Sequence, residues 1–242
     1  MLLGNLVKTT NKKYKKISIK GIAFDSRKVK KKDIYFSIKG KNTSGNKFIN
    51  EAILKGASAL VVDKESSKKK YSIPSISVND VRESLSEACS KFYKNKPQNI
   101  VAVTGTNGKS SVADFFYQIL SFNKRKVASI GTLGIVSKKN RKKTNLTSVD
   151  ALSLHKNLQI LKSKKIKNII LEASSHGLDQ KRLNNIKIKT GIFTNLSHDH
   201  LDYHKNMKNY LDAKMYLFKK LLHNNSNIIT DEDNKEFKII RN

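Results

Sequence analysis

The feature that most constrains the fold is an apolar run, Ile100–Val103, that leads through a glycine turn into Gly108-Lys109-Ser110. The run has the composition of a buried strand, and the pattern after it predicts a helix from Ser110 to Leu120. Glycines let backbone N–H groups close around phosphate oxygens, and a helix amino terminus adds partial positive charge. Lys109 can reach the β- and γ-phosphates, and the Ser110 hydroxyl can ligate Mg²⁺. The segment therefore predicts a nucleotide site between a strand and a helix.

This phosphate loop departs from the common Gly-x-x-x-x-Gly-Lys-Ser/Thr pattern, because Val103 stands where the first glycine is expected. An ordinary turn between a strand and a helix is the alternative explanation. The order of strand, loop and helix favours ATP binding. The residues expected to line the loop are Gly105, Thr106, Asn107, Gly108, Lys109, Ser110 and Ser111.

Length and composition predict a globular protein of one large or two modest domains, since the chain has 242 residues. Hydrophobic residues make up 38%, enough for a core, which argues against wholesale disorder. No apolar run approaches the roughly 18 residues of a membrane span. The single cysteine, Cys89, cannot form an intramolecular disulfide and suits a reducing compartment. We therefore expect a cytoplasmic protein without a membrane partner.

The charge of the chain is strongly basic, with 49 Lys and Arg against 19 Asp and Glu and a formal net charge of +30. Such a field attracts polyanions and phosphorylated small molecules. A nucleic-acid-binding ATPase is therefore one alternative reading of the chain. The lysines, however, occur in short runs along the whole sequence, which is typical of solvated faces. No zinc finger or aromatic stacking motif accompanies them, so we expect no nucleic-acid partner.

The first 96 residues are expected to form one small α/β domain. Its predicted strands are Gly21–Phe24, Ile34–Ile38 and Ala59–Val62, and a helix around Phe48–Ile53 should stop at Gly56. Asp80 should cap a second helix, which should end near Asn95-Lys96-Pro97 because proline restricts the residue before it. That proline marks the predicted domain boundary.

Residues 97–242 alternate between strand and helix patterns, which is typical of a mostly parallel α/β sheet. The predicted strands are 100–103, 127–130, 169–171, 191–193 and 227–229, and the predicted helices are 110–120, 152–161 and 210–222. The segment Ser137–Thr144 is predicted to be a basic loop. The fold class is thus α/β, with a small amino-terminal domain followed by a P-loop-type ATPase domain.

Several motifs together resemble those of the Mur ligase family. Thr104–Ser110 is similar to the nucleotide loop of that family, whose short form explains the missing glycine. Leu171–Leu178 and Phe193–His204 resemble two further segments of the family. Asp25-Ser26-Arg27 and Asp212-Ala213-Lys214 extend the match towards both ends of the chain. Because these matches occur in order over almost the whole chain, chance similarity is a poor explanation.

The resemblance implies a family architecture of three domains, of which this sequence matches two. Residues 1–96 correspond to a domain that binds the UDP-sugar UDP-MurNAc, and residues 97–242 to a truncated central ATP-binding domain. The carboxyl-terminal domain is absent from the match, so we expect a fragment whose own activity is doubtful. We expect a monomer.

The activity that the resemblance implies is an ATP-dependent amide ligation through an acyl phosphate. The enzyme would add the third amino acid, meso-diaminopimelate, to UDP-N-acetylmuramoyl-L-alanyl-D-glutamate in peptidoglycan precursor synthesis. Addition of L-lysine is the alternative, because the selecting residues belong to the missing domain. The folate-conjugating ligases share the ATP loop and are a further alternative within the family.

Catalytic and metal-binding roles follow from the same resemblance. Glu172 ends a predicted strand, where a carboxylate can hold Mg²⁺ beside the phosphates, although a capping or solvated glutamate is the simpler reading. The implied metal ligands are Ser110, Glu172, His200 and Lys214, the last as a lysine carbamylated by CO₂. The implied catalytic residues are Lys109, His200 and Lys214. Without the resemblance, Lys214 is one lysine among many on a basic helix.

Substrate contacts are also implied by the match. The residues expected at the UDP-sugar are Phe24, Ser26, Lys41, Asn42 and Thr43. Those expected at the peptide end are Thr147, Ser148, Ser174, Gln180 and Arg182, where the arginine offers a planar fork for a carboxylate. Leu146 departs from the family, in which an asparagine often precedes the threonine pair. Solvated loops are the alternative for each of these polar residues.

A metallohydrolase is a rival reading of the segment His198–His204, which resembles an HxHxDH zinc motif. Tyr203 stands where the last histidine of that motif belongs, and His204 lies one place late. The zinc reading also leaves the phosphate loop without a role, so we favour the ligase.

Overall fold

The computed structural model describes residues 1–40, 43–138, 140–142 and 149–241. The chain divides into two compact units, Met1–Lys94 and Asn95–Asn242. Four of the residues assigned to substrate contacts lie outside the described residues: Lys41, Asn42, Thr147 and Ser148.

The first unit is built on a small parallel sheet. Its strands are β1 (Gly21–Ala23), β2 (Asp33–Phe36), β3 (Ala59–Val62) and β4 (Ser75–Ser77), and its helices are α1 (Leu3–Leu6), α2 (Lys12–Lys15), α3 (Ile49–Leu54) and α4 (Val81–Phe92). The sheet order is β1-β2-β3-β4, with every pair parallel. The three predicted strands are confirmed. Strand β4 is not recognisable from its sequence pattern, because Ile76 is its only buried residue between two serines.

Helix α4 begins as the sequence predicts and ends earlier. The Asp80 side chain accepts hydrogen bonds from the backbone N–H groups of Arg82 and Glu83, which confirms the predicted cap. The helix ends at Phe92, because Tyr93 leaves the helical conformation at φ −103° and ψ 74°. The expected end near Pro97 is therefore wrong. Proline disfavours the helical conformation at the residue before it, but it does not require a helix to continue up to that residue.

The second unit contains a larger mixed sheet. Its strands are β5 (Asn99–Thr104), β6 (Val127–Gly131), β7 (Gly134–Ser137), β8 (Asn140–Lys142), β9 (Asn168–Glu172), β10 (Ile188–Phe193) and β11 (Leu222–Ile229). Its helices are α5 (Lys109–Phe122), α6 (Ala151–Ser163), α7 (Ser175–Asp179), α8 (Leu201–His204), α9 (Met207–Tyr216) and α10 (Phe237–Arg241). The strand order is β11-β10-β5-β9-β6-β7-β8. The α/β fold class is confirmed.

Two sequence predictions in the second unit are wrong in detail. The composition of Ser137–Thr144 predicts a basic loop, but Ser137 and residues 140–142 belong to an antiparallel hairpin, β7–β8, at the edge of the parallel sheet. An edge strand is difficult to recognise in a lysine-rich segment, because edge strands are exposed to water and tolerate charged side chains. The helix expected to reach Leu222 changes to a π-helical turn at Leu217–Leu221, and Leu222 already begins β11.

Helices cover both faces of the larger sheet. On one face, Leu154 and Leu158 of α6 belong to the same buried cluster as Ala102 of β5. On the other face, Ala113 of α5 belongs to a cluster with Val103, the next residue along β5. Successive strand residues point to opposite faces, so a strand between two layers must be apolar throughout. This arrangement leaves the carboxyl ends of the strands as the place for polar side chains.

None of the helices in the described part of the chain combines the length and the apolar character that a membrane crossing requires.

Candidate functional site

The phosphate loop joins the end of β5 to the start of α5, as the sequence predicts. Gly105 and Gly108 adopt φ values of +149° and +81°, a region that favours glycine. A Cβ atom added to Gly105 would overlap Thr194 Oγ1. Glycine is therefore required there by a close approach of the neighbouring chain segment as well as by backbone conformation.

The start of α5 presents unpaired backbone donors. Among the contacts of the described residues, none uses the N–H groups of Lys109, Ser110 or Ser111. The first N–H groups of any helix lack partners within it, and they carry the positive end of the helix dipole. The loop thus has the donors and the field that an anionic phosphate requires.

Two lysines converge on one carbonyl oxygen of the loop. Lys109 Nζ donates to Gly105 O at 3.0 Å and to Thr106 O at 2.7 Å, and Lys214 Nζ donates to the same Gly105 O at 2.6 Å. Lys214 is only 1% exposed, although it lies on a helix rich in exposed polar residues. Burial and the bond to Gly105 O therefore separate Lys214 from the exposed lysines of the chain, which its local sequence does not predict.

Burial changes the acid–base properties of both lysines. The pKa of Lys214 falls to about 7, chiefly through burial and then through the charge of Lys109, while Asp199 opposes the shift. Burial also lowers the pKa of Lys109, against the charges of Glu172 and Asp199. Two cations held close together in a partly dry site favour an anionic ligand.

Glu172 lies at the carboxyl end of β9 and is 3% exposed. Its Oε2 accepts hydrogen bonds from Ser110 Oγ at 2.8 Å and Thr132 Oγ1 at 2.9 Å, and its Oε1 accepts one from Thr132 N at 2.9 Å. A Cβ atom added to Gly131 would overlap Glu172 Oε1. The carboxylate is therefore held in one orientation against the first turn of α5.

His200 lies in the segment that follows β10, with a left-handed backbone at φ 53°. Its Nε2 is 3.4 Å from Asp199 Oδ2, and its ring centroid is 4.9 Å from that of His176 and 6.1 Å from that of Tyr210. The charge of Asp199 acts to raise the pKa of both Lys109 and Lys214. The Ser197 N–H, three residues before His200, donates to Thr106 Oγ1 at 2.9 Å, so the segment with His200 also reaches the loop.

The described residues contain no group of three or more His, Cys, Asp and Glu side chains arranged to hold a metal ion. Ser110 and Glu172 still form an oxygen pair that suits Mg²⁺, which binds proteins through one or two carboxylates and keeps waters or phosphate oxygens as its other ligands. The donor set therefore fits a magnesium ion shared with a nucleotide, and it fits a zinc site poorly.

The candidate peptide-binding residues of the second unit that the structure describes flank α7, with Ser174 before the helix and Gln180 and Arg182 after it. Ser174 caps this helix, its Oγ accepting the Gly177 N–H at 3.1 Å. Gln180 Oε1 accepts two hydrogen bonds from the Arg182 guanidinium, at 3.2 and 2.7 Å. His176, on the same helix, packs against the His200 ring. The structure thus brings α7 and its polar residues next to the segment that carries His200.

In the first unit, the candidate UDP-sugar residues follow β1 and β2. Ser26 is buried, and its hydroxyl donates to Glu51 Oε2 at 2.6 Å. Phe24 is half-buried and Thr43 is exposed. Ser26 therefore already has a protein partner, while Phe24 and Thr43 present surface to a ligand.

Thr194 and Asn195, which follow β10, form hydrogen bonds with the phosphate loop, and the sequence patterns predict no role for either residue. Thr106 N donates to Asn195 O, and Asn107 N donates to Asn195 Oδ1, both at 2.9 Å. Thr194 Oγ1 donates to Asn107 O at 2.6 Å. Asn195 lies inside a motif that the sequence singles out, but only the adjacency of β10 and β5 could have given it a role.

Two family models match the chain, one described as the Mur ligase middle domain over residues 103–242 and one as the Mur ligase family catalytic domain over residues 18–93. The chain belongs to the Mur ligase family. The family assignment made from the motifs is therefore confirmed.

Curated relatives of this Mur ligase chain are named UDP-N-acetylmuramoyl-L-alanyl-D-glutamate–2,6-diaminopimelate ligase. The one from Rickettsia montanensis is 43% identical over 228 residues, covering 92% of this chain and 47% of the relative. The one from Bradyrhizobium diazoefficiens is 41% identical over 206 residues, covering 85% and 42%. The chain thus spans about half the length of the curated relatives it matches.

Solved structures agree with this placement of the Mur ligase chain. A structure with the same ligase name superimposes with a TM-score of 0.83 at 27% identity, covering all of this chain and 49% of the other. A MurF ligase from Thermotoga maritima in complex with ADP superimposes with a TM-score of 0.60 at 23% identity, covering 90% and 47%. The second likeness is evidence of a shared fold alone.

Proposed function

We propose that this chain is the UDP-sugar-binding and ATP-binding part of a cytoplasmic ligase that adds meso-diaminopimelate to UDP-N-acetylmuramoyl-L-alanyl-D-glutamate. The observation that carries the proposal is the convergence of Lys109, Lys214 and the Ser110–Glu172 pair on one phosphate loop. Relatives that are 39–44% identical bear the name of the diaminopimelate-adding ligase, which supports the choice of substrates.

ATP is the proposed nucleotide. Its phosphates would meet the free N–H groups at the start of α5, while Lys109 would leave the loop carbonyls for the β- and γ-phosphate oxygens. The remaining loop residues, Gly105 to Gly108 and Ser111, would shape and line the same site. The MurF ligase of the same fold was solved in complex with ADP, which is consistent with an adenine nucleotide as the ligand of this chain.

Magnesium is the proposed metal, held by Ser110 Oγ and Glu172 with help from His200. When bound, it would neutralise phosphate charge and polarise the γ-phosphorus towards attack. Glu172 suits this role because its orientation is fixed by Thr132 and by the absence of a side chain at Gly131.

Lys214 is proposed to be carbamylated. A lysine that is almost fully buried and whose pKa is lowered to about 7 retains a large fraction of neutral amine at physiological pH. A neutral amine is the form that adds CO₂ through a new N–C bond, and release of one proton to solvent leaves a carbamate anion. That anion would offset the charge of Lys109 and supply an oxygen near the metal.

The proposed mechanism divides the work between the residues of the second unit. Lys109 and the α5 amides would hold the γ-phosphate while the glutamyl carboxylate attacks it, giving an acyl phosphate and ADP. Ser174, Gln180, Arg182 and the pair Thr147-Ser148 would orient the peptide end of the substrate. An amine of the incoming amino acid would then displace phosphate. The first unit would bind the UDP-sugar through Phe24, Ser26 and the loop Lys41-Asn42-Thr43.

The proposed domains are residues 1–96 and 97–242, and the proposed oligomeric state is a monomer. The L-lysine-adding ligases, the folate-conjugating ligases and a nucleic-acid-binding ATPase have no specific observation in their favour. Structures of the folate enzyme share 16–17% identity with the chain, which is a likeness of fold alone.

Calorimetric titration of the purified chain tests the proposal, with Mg²⁺-ATP in one experiment and UDP-N-acetylmuramoyl-L-alanyl-D-glutamate in the other. We expect each ligand to bind once per chain, and ATP to bind more tightly with Mg²⁺ than without it. A chain that binds neither ligand at millimolar concentration would contradict the proposal. So would salt-sensitive binding of RNA or DNA in preference to both.

A further inference from the structure

We infer that Asn195 is a positioning residue that holds the phosphate loop in its binding shape from the neighbouring strand end. The inference rests on the proposed function, because the loop must bind ATP for its shape to matter. No sequence motif assigned Asn195 a role, and its contribution is visible only in the contacts between two chain segments that are 88 residues apart.

Asn195 contacts the loop through both its backbone and its side chain. Its backbone oxygen accepts the Thr106 N–H, and its Oδ1 accepts the Asn107 N–H, both at 2.9 Å. Its Nδ2 completes the set with a longer bond of 3.4 Å to Asn107 O. One residue therefore pairs both polar backbone groups of Asn107 and the amide of Thr106.

The residue before it strengthens the attachment. Thr194 N donates to Thr104 O at 3.0 Å, and Thr194 Oγ1 donates to Asn107 O at 2.6 Å. The contact is so close that no Cβ atom fits at Gly105. The two segments thus continue the pairing of β5 with β10 beyond the last residues of the strands.

The direction of these bonds separates the loop amides into two groups. The N–H groups of Thr106 and Asn107 point to Asn195, so they shape the loop and are not available to a phosphate. The N–H groups of Lys109, Ser110 and Ser111 have no partner among the described contacts and are available. Thr106 and Asn107, which the sequence groups with the phosphate-binding residues, therefore act through loop shape.

A loop with glycines at positions 105 and 108 has wide conformational freedom unless something restricts it. Binding a phosphate to an unrestricted loop would require the loop to lose that freedom at the moment of binding, which weakens affinity. Asn195 removes this freedom in advance. Asparagine suits the position because it offers an acceptor and a donor on one short side chain, without a charge that would repel phosphate.

Two variants and a matched control test the inference. Asn195→Ala removes the side-chain bonds and keeps the backbone oxygen that pairs with Thr106. Asn195→Asp keeps an acceptor for the Asn107 N–H. Asn168→Ala is the control, because Asn168 is also half-buried and its amide bonds to Lys126 O and Asn99, at the opposite edge of the sheet.

Three measurements are made on the full 242-residue chain: the affinity for Mg²⁺-ATP, the thermal midpoint, and the hydrogen exchange of individual loop amides by NMR. For Asn195→Ala we expect about tenfold weaker ATP binding, equivalent to about 1.4 kcal/mol. We also expect faster exchange of the Asn107 amide with little change at Thr106. In Asn195→Asp the Asn107 amide should stay protected, and Asn168→Ala should bind ATP as the wild type does.

ATP affinity within twofold of wild type in Asn195→Ala would overturn the inference, as would unchanged exchange at Asn107. If Asn195→Ala does not fold, loss of Asn107 protection in a folded Asn195→Asp would overturn it equally. Failure of the proposed function gives a different result, in which the wild-type chain itself does not bind ATP while its Asn107 amide remains protected.

Discussion

The parallel strands of the larger sheet begin at one side of the sheet, the amino edge, and end at the other, the carboxyl edge. Both sides carry lysines, yet the environments of these lysines differ. At the carboxyl edge, Lys109 and Lys214 are drawn onto a single carbonyl oxygen, and Lys214 is buried. At the amino edge, a cavity of about 670 Å³ is lined by side chains that include Lys124, Lys126 and Lys167, all of them exposed.

The cations of the amino edge have a structural explanation. Helices α5 and α6 both end there, with carboxyl-terminal caps at Asn123 and Lys164. Positive side chains near a helix carboxyl terminus offset the negative end of its dipole, and exposed charges are screened by salt. A basic cavity therefore does not by itself identify a ligand site. The carboxyl edge differs, because Lys214 is buried there, shares one acceptor with Lys109 and lies in the same site as the oriented carboxylate of Glu172.

Of the substitutions considered for the two edges, Lys109→Ala should reduce activity most. In the complete ligase, ligation should slow by about 10² to 10³, because a cation that stabilises the transferring phosphoryl group is lost. Affinity for the UDP-sugar dipeptide should change little. Rates of phosphate release and the affinity for that substrate check both statements. Turnover at the wild-type rate would contradict the assignment of the carboxyl edge.

The second effect concerns the buried lysine. In a solution of ¹³C-bicarbonate, the wild-type chain should show a carbamate carbon signal by NMR that Lys214→Ala lacks. Ligation by that variant of the complete ligase should fall by about 10²-fold, the size of effect expected when one charge-stabilising group is removed. Short carboxylates should restore part of the rate, since they supply the missing anion. A wild-type chain without the signal would remove the carbamate from the mechanism.

A smaller effect is expected from Gly131→Ala. The new Cβ atom would overlap Glu172 Oε1, so the carboxylate must leave its present orientation. Affinity for Mg²⁺-ATP should fall about tenfold, equivalent to about 1.4 kcal/mol. Titrations without Mg²⁺ serve as the control, because binding there should stay within twofold of wild type. An equal loss in both conditions would mean that Glu172 acts on the loop and not on the metal.

The smallest effect belongs to the amino edge. Lys124→Ala and Lys126→Ala should leave ATP affinity within about twofold at 0.15 M salt, where the screening length is about 8 Å. The same titration measures both variants beside the wild type. A tenfold loss in either variant would break the distinction between the two edges.

Much of the second unit could be predicted from sequence because its signals are local. The β5 strand, the glycine turn and the start of α5 form one continuous pattern, and the structure has them in that order. The hairpin β7–β8 could not be predicted in this way. Its outer strand is short, polar and stabilised by pairing with a neighbour, which composition does not reveal.

The site shows the same division between local and distant information. Lys109, Ser110 and Glu172 could be selected from motifs at strand ends. Lys214 could be selected only through resemblance, since nothing in its own helix predicts burial against Gly105. Asn195 could not be assigned at all, because its role depends on the adjacency of β10 and β5 in three dimensions.

A crystal structure of the chain with Mg²⁺ and a non-hydrolysable ATP analogue would show which atoms of the chain contact the phosphates and the metal ion. We predict that the β- and γ-phosphates lie against the N–H groups at the start of α5, with Lys109 Nζ moved from Gly105 O to a phosphate oxygen. The metal ion should lie between Ser110 Oγ and Glu172. An analogue bound elsewhere, or a loop that stays free of it at saturating concentration, would rule out this loop as the ATP site.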